Sequence, residues 1–117
     1  MGHDQPPELS TLEFHVLLAL ASNPLYGYAI KDAVSVESAG TLTPRAGSLY
    51  RVLARLMAAG LLKETDPRGE APPHPGLARK YYALTSEGRK ALGAEAERLK
   101  RSAAMAQKRL GVAPGRS

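Results

Sequence analysis

The chain contains no cysteine, which excludes a disulfide framework, a thiolate metal site and a cysteine nucleophile. Tryptophan is also missing and phenylalanine occurs once. No run of about 18 apolar residues is present, so no membrane span is expected. No signal-peptide pattern opens the sequence, and a soluble cytoplasmic protein is the expectation. There is no phosphate-cradling glycine motif, no nucleophile elbow and no H-E-x-x-H. His3, His15 and His74 fall in a tail, a helix and a loop tip without ligand-like spacing, so no metal, no cofactor and no catalytic residue is expected. The neighbouring carboxylates Glu95 and Glu97 sit in a charged helical stretch, where solvation accounts for both.

What remains is an ordinary globular composition on a short chain. Its 117 residues suit one small domain, and 44% hydrophobic against 23% charged residues argues against wholesale disorder. The net charge of +5 is unevenly spread. Residues 1–42 carry one lysine against five carboxylates, a net of −4. Residues 43–117 carry fifteen Lys/Arg against six Asp/Glu, a net of +9. An acidic partner, nucleic acid first, is expected to meet the second part.

The order of elements gives that charge a frame. Residues 1–8, with Pro6 and Pro7, read as a disordered lead-in. A first helix starts at Ser10, whose hydroxyl and the Glu13 carboxylate form a capping box. Leu9, Leu12, Val16, Leu17 and Leu20 make its apolar stripe, and Asn23-Pro24 stops it. A second helix covers about Tyr26 to Ser35, with Tyr26, Ala29, Ile30 and Ala33 inward. For a third, Thr43 suits the N-cap, Pro44 the first turn and Gly60 the left-handed position after the end. Leu49, Val52, Leu53 and Leu56 form its apolar face. Gly47, Arg51 and Ala54 lie opposite, flanked by Ser48 and Arg55. Residues 61–65 and 79–85 read as paired strands around a proline-rich tip at 66–78. Tyr82 and Leu84 share one strand face, so Tyr81-Tyr82 is no stacking platform for single strands. A last helix begins near Thr85 or Ser86 and runs to Leu110, and residues 111–117 read as a disordered tail.

The expected fold is therefore mostly α, with a small two-stranded antiparallel β-wing. Residues 9–85 make a winged helix-turn-helix and residues 86–110 a long C-terminal helix. In that arrangement the third helix enters the major groove and the wing reaches the neighbouring backbone. Along the last helix Leu92, Ala96, Leu99, Ala103, Ala106 and Leu110 follow a heptad seam. A dimerisation helix is expected there, against the alternative of a helix folded back on its own domain.

Three segments make the resemblance more specific. They are Leu25-Tyr26-Gly27-Tyr28-Ala29-Ile30; Gly47-Ser48-Leu49-Tyr50 with Leu53, Arg55, Leu56, Gly60 and Leu61; and Arg79-Lys80-Tyr81-Tyr82 with Leu84, Thr85, Gly88 and Leu92. In this order and spacing, over roughly residues 9–92, the chain resembles the PadR-like winged helix-turn-helix transcriptional regulators, in the short form with a single C-terminal helix. The resemblance implies a dimeric DNA-binding repressor, commonly relieved by a small-molecule effector. It also implies a phosphate contact for the Tyr50 hydroxyl. Two departures stand out. Arg51 replaces the proline that many members have after this tyrosine, which leaves the operator contacts open. The lack of tryptophan removes the mode in which flat ligands stack on that ring.

The candidate DNA-binding residues are Arg45, Gly47, Ser48, Tyr50, Arg51 and Arg55 on the third helix. The wing adds Arg68, Arg79 and Lys80, with His74 nearby. Arginine is the commonest bidentate reader of guanine, whereas wing contacts to phosphates position without reading sequence. The expected partners are a pseudo-palindromic duplex operator, a second copy of the chain and a small effector, with no membrane. His15 is a candidate for lining an effector cavity between the first and last helices, against an ordinary reading as a polar helix residue. A winged-helix protein–protein module, or an effector sensor without DNA binding, remains the alternative.

Overall fold

The computed structural model describes residues 8–66 and 80–111. Its elements run α1 (Thr11–Ala19), β1 (Leu25–Tyr26), α2 (Gly27–Glu37), α3 (Ala46–Ala58), β2 (Leu62–Thr65), β3 (Tyr81–Leu84) and α4 (Ser86–Leu110). Much of this follows from local chemistry. At α1 the capping box forms in full: Glu13 N donates to Ser10 Oγ at 3.1 Å and Ser10 N to Glu13 Oε1 at 2.9 Å. At the end of α3, Gly60 takes a φ of 80°. Leu61 N then reaches back to the Leu56 carbonyl and Gly60 N to that of Met57, the paired bonds that close a helix through a left-handed residue. Gly111 closes α4 in the same conformation, with a φ of 75°.

Two boundaries differ from expectation, one through a distant strand pairing and one through a turn just before the helix. The wing is a three-stranded antiparallel sheet in the order β1-β3-β2 rather than a two-stranded one. The added strand is only Leu25–Tyr26, paired with Tyr82 and Tyr81. Tyr26 is thus extended at the mouth of α2, not on its inner face, and its ring meets Tyr81 edge-on at 5.7 Å. At α3 the N-cap is Arg45, without a side-chain bond, rather than Thr43. Ser38 explains the shift. Its hydroxyl oxygen accepts from Leu42 N at 2.9 Å and its carbonyl accepts from Thr41 Oγ1 at 2.7 Å. That ties residues 41–42 to the end of α2 and leaves 43–45 outside the helix, with Arg45 extended.

The core joins the elements through Val16, Leu17, Leu20, Ile30, Val34, Leu49, Leu53 and Leu56. Leu61, Leu62, Tyr82, Leu84 and Ala91 extend it under the sheet and the start of α4. Tyr82 and Leu84 are buried together on one face of β3, as the alternation requires. The α3–α4 junction is a clasp centred on Thr85. Its hydroxyl donates to the Gly60 carbonyl at 2.6 Å and accepts from Gly88 N at 2.9 Å, while its own N–H donates to the Leu61 carbonyl at 3.1 Å. Gly88 is needed there because a Cβ would collide with the Leu61 carbonyl oxygen. The first turns of α4 lie on α1, where Arg89 Nη1 donates to the Ala21 carbonyl at 3.1 Å.

Candidate nucleic-acid interface

Helix α3 buries Leu49, Val52, Leu53 and Leu56 and leaves Gly47, Tyr50, Arg51, Ala54 and Arg55 exposed. Ser48 is half-buried on the flank, one turn before Arg51, whose Nη2 lies 3.5 Å from its hydroxyl. Exposed Arg45 stands at the N-cap, so the α3 residues of interest occupy one continuous outward strip. Open space surrounds the position a Cβ would take on Gly47, so nothing among the described residues requires a glycine there. Close approach by an outside group does give it a use.

Tyr50 is half-exposed, and its ring lies over the start of α2. A Cβ on Gly27 would fall 2.5 Å from the Tyr50 hydroxyl oxygen and 3.0 Å from Cζ. The glycine of the first resemblance segment and the tyrosine of the second are therefore one packing unit. Likewise Leu61 of the second segment and Gly88 of the third meet at the α4 clasp.

Arg55 has a partner within the chain. Its Nη1 donates to Glu13 Oε2 at 2.9 Å, with the arginine side chain 62% exposed and the glutamate 11%. Burial pushes the Glu13 carboxyl up, but the Ser10 N–H and the Arg55 guanidinium together outweigh it and hold the group below the ordinary glutamate range. Sequence reading finds Glu13 only as a cap. The pairing spans 42 positions, and the one local hint was the flanking place of Arg55 beside the buried face.

On the wing, Lys80 is exposed and its Nζ lies 3.8 Å from Glu64 Oε2. An exposed pair at that distance constrains the lysine little. Arg68, His74 and Arg79 lie outside the described residues. His15 is half-buried on α1, edge-on to Phe14 at 5.6 Å, and its Nδ1 is buried without a partner. Among the described residues no group of three or more His, Cys, Asp or Glu could hold a metal ion. Nor is any described helix long and apolar enough to cross a membrane.

The seam of α4 divides at its third turn. Leu92 is half-buried against the core, whereas Ala96, Leu99, Ala103, Ala106 and Leu110 are exposed. Leu99 is 40% and Leu110 76% exposed. Glu95 departs from expectation. It is buried, not solvated, and pairs with Arg98 one turn on. Hydrogen bonding from that guanidinium holds its carboxyl below the ordinary range. Glu95 lies one turn beyond the buried Ala91 on the same face of α4, where a cation beside the carboxylate offsets the cost of burial.

Helices α2 and α3 joined by residues 38–45, followed by a hairpin and with arginines on the exposed side of α3, define a winged helix-turn-helix. Residues 16–94 match the Transcriptional regulator PadR-like family, and the chain belongs to it. A curated relative, an uncharacterized 37.1 kDa protein in transposon TN4556 of Streptomyces fradiae, is 41% identical over 86 residues, 74% of this chain. The chain spans only 22% of that relative's length. Among solved structures, a PadR-like transcription factor from Bacteroides fragilis is 29% identical with a TM-score of 0.67, over 83% of this chain and 87% of that one. Bacillus subtilis PadR in complex with operator DNA shares the fold at a TM-score of 0.61. It is 23% identical, over 72% of this chain and 46% of that one.

Proposed function

We propose that this chain is a homodimeric transcriptional regulator that binds a pseudo-palindromic duplex in a sequence-specific way, and that it acts as a repressor relieved by a small-molecule effector. The observation that carries the reading is the exposed strip Arg45, Gly47, Tyr50 and Arg51, flanked by half-buried Ser48, on a helix α3 whose leucine–valine face is buried. A helix so divided has its apolar needs met within the chain and offers polar groups to a groove. Arg51 and Ser48 read base edges, Tyr50 and Arg55 take phosphates, and Arg68, Arg79 and Lys80 hold the backbone beside the wing. The operator complex of B. subtilis PadR supports this docking by analogy of fold.

The uncovered seam of α4 supports self-association. Ala96, Leu99, Ala103, Ala106 and Leu110 form an apolar line that one protomer leaves in water, and a two-fold pair is the commonest way to cover such a line. Two copies would then place their α3 helices in successive major grooves, about 34–36 Å apart. Repression and effector relief follow from the family resemblance.

Selection of bound sites from random duplex DNA tests the reading. An enriched inverted repeat is expected, with affinity falling on added salt at a slope of about −0.9 per phosphate neutralised. Absence of duplex binding at low salt overturns it. Transcription from a template carrying the selected site then separates repression, in which the protein lowers transcript yield, from activation.

A further inference from the structure

We propose that Glu13, a residue of α1 that lies 42 positions before Arg55 in sequence, is a positioning residue for DNA recognition. On this proposal it holds Arg55 of α3 at a fixed place from which the guanidinium takes a backbone phosphate. The inference rests on the DNA-binding reading and names a determinant within it.

The Glu13 carboxylate is shared between two tasks. Its Oε1 accepts from Ser10 N at 2.9 Å, which completes the α1 cap, and its Oε2 accepts from Arg55 Nη1 at 2.9 Å. The capping bonds lock the glutamate rotamer before the arginine is considered, and the side chain is only 11% exposed. Arginine carries five N–H donors in a planar fork, and Glu13 is the one hydrogen-bond partner given to it among the described residues. The arginine side chain is 62% exposed, and the guanidinium keeps its other donors for an outside acceptor. Arg55 also stands one turn beyond Arg51 on α3, so a phosphate held there adjoins the proposed base-reading position.

Two opposed effects follow from this geometry, and they make it testable. An acidic group beside a phosphate site weakens general attraction to DNA. A held arginine, however, loses less rotamer freedom on binding than a mobile one. Unlike the wing contact of Lys80, a phosphate taken by a held guanidinium beside Arg51 is engaged in full only when the helix sits in register on its site. Removing the Glu13 charge should therefore relax discrimination without weakening general attraction.

The test measures affinity for the selected site and for random duplex, with thermal stability of each variant in parallel. Glu13→Gln is expected to lose about 3- to 10-fold for the selected site while random-duplex affinity is unchanged or rises. Ser10→Ala breaks the cap but keeps the carboxylate, so it should lower stability and leave the ratio of the two affinities unaltered. Arg55→Lys spares the cap, which keeps the test open should Glu13→Gln fold poorly, and it should reduce the ratio as Glu13→Gln does. The double variant should be no worse than Arg55→Lys alone, because both substitutions break one contact. An unchanged ratio in Glu13→Gln or in Arg55→Lys, with the wild type still preferring its site, overturns the inference alone. A wild type that shows no preference at all overturns the DNA-binding reading and the inference with it.

Discussion

Helices α3 and α4 are both amphipathic and both rich in arginine, yet they are unfinished in opposite ways. In α3 the apolar face is wholly buried within the chain and the exposed face is polar. In α4 beyond Glu95 every described residue but the half-buried Gln107 is exposed, the apolar line of Leu99 and Leu110 included. Surface arginines alone would not tell these helices apart. What separates them is the kind of surface left over: α3 exposes Tyr50, Arg51 and Arg55, whereas α4 exposes an apolar line.

The largest effect should come from the finished side of α3. Leu53→Ala removes a fully buried side chain and should cost about 2–5 kcal/mol in chemical denaturation, whereas Leu99→Ala should move monomer stability by no more than about 0.5 kcal/mol. Equal costs would erase the contrast. Next, Leu99→Glu should convert dimers to folded monomers in sedimentation analysis, and an unchanged dimer refutes the α4 seam. On the polar strip, Arg51→Ala should lose about 1–3 kcal/mol for the selected site with little change for random duplex. Lys80→Ala, by contrast, should weaken both alike and shallow the salt slope by about one unit.

Two smaller effects probe regions outside this contrast and the chemistry beside it. Ala39 holds a positive φ of 55° without being glycine, a conformation that costs about 1–2 kcal/mol. After glycine's own entropic cost, Ala39→Gly should gain about 0.5–1 kcal/mol in thermal unfolding. Finally, Glu13 and Glu95 both titrate below the ordinary glutamate value of 4.5 in the folded chain. Their stabilisation is present above the unfolded value and is lost as pH falls through the lower folded ones. Denaturation followed from pH 5 downward should show that loss, and Arg98→Ala should flatten it.

Local signals carried the sequence reading well where the physics is local. The Ser10–Glu13 cap, the left-handed Gly60 and the shared face of Tyr82 and Leu84 each depend on residues a few positions apart, and each is present. β1 escaped notice because two residues have no periodicity and their partners lie some 56 positions on, at Tyr82 and Tyr81. The start of α3 moved because Ser38, a residue of the preceding turn, overrode the stronger local signals of Thr43 and Pro44. For the candidate site, helical spacing was enough to place Arg51 outward. The Glu13–Arg55 pair and the seating of Tyr50 on Gly27 required the fold, since neither contact has a sequence period.

The Thr85 clasp has a consequence best put as gearing. Two hydrogen bonds from Thr85, to the Gly60 and Leu61 carbonyls, and a glycine that admits no side chain tie the start of α4 to the end of α3. Twenty-five residues of helix form an arm of about 37 Å. A rotation of about 5° at the clasp swings the far end by about 3.2 Å, close to one base-pair step of about 3.4 Å. In the proposed dimer, the spacing between half-sites would thus be set less by the residues that touch DNA than by a threonine hydroxyl at the joint.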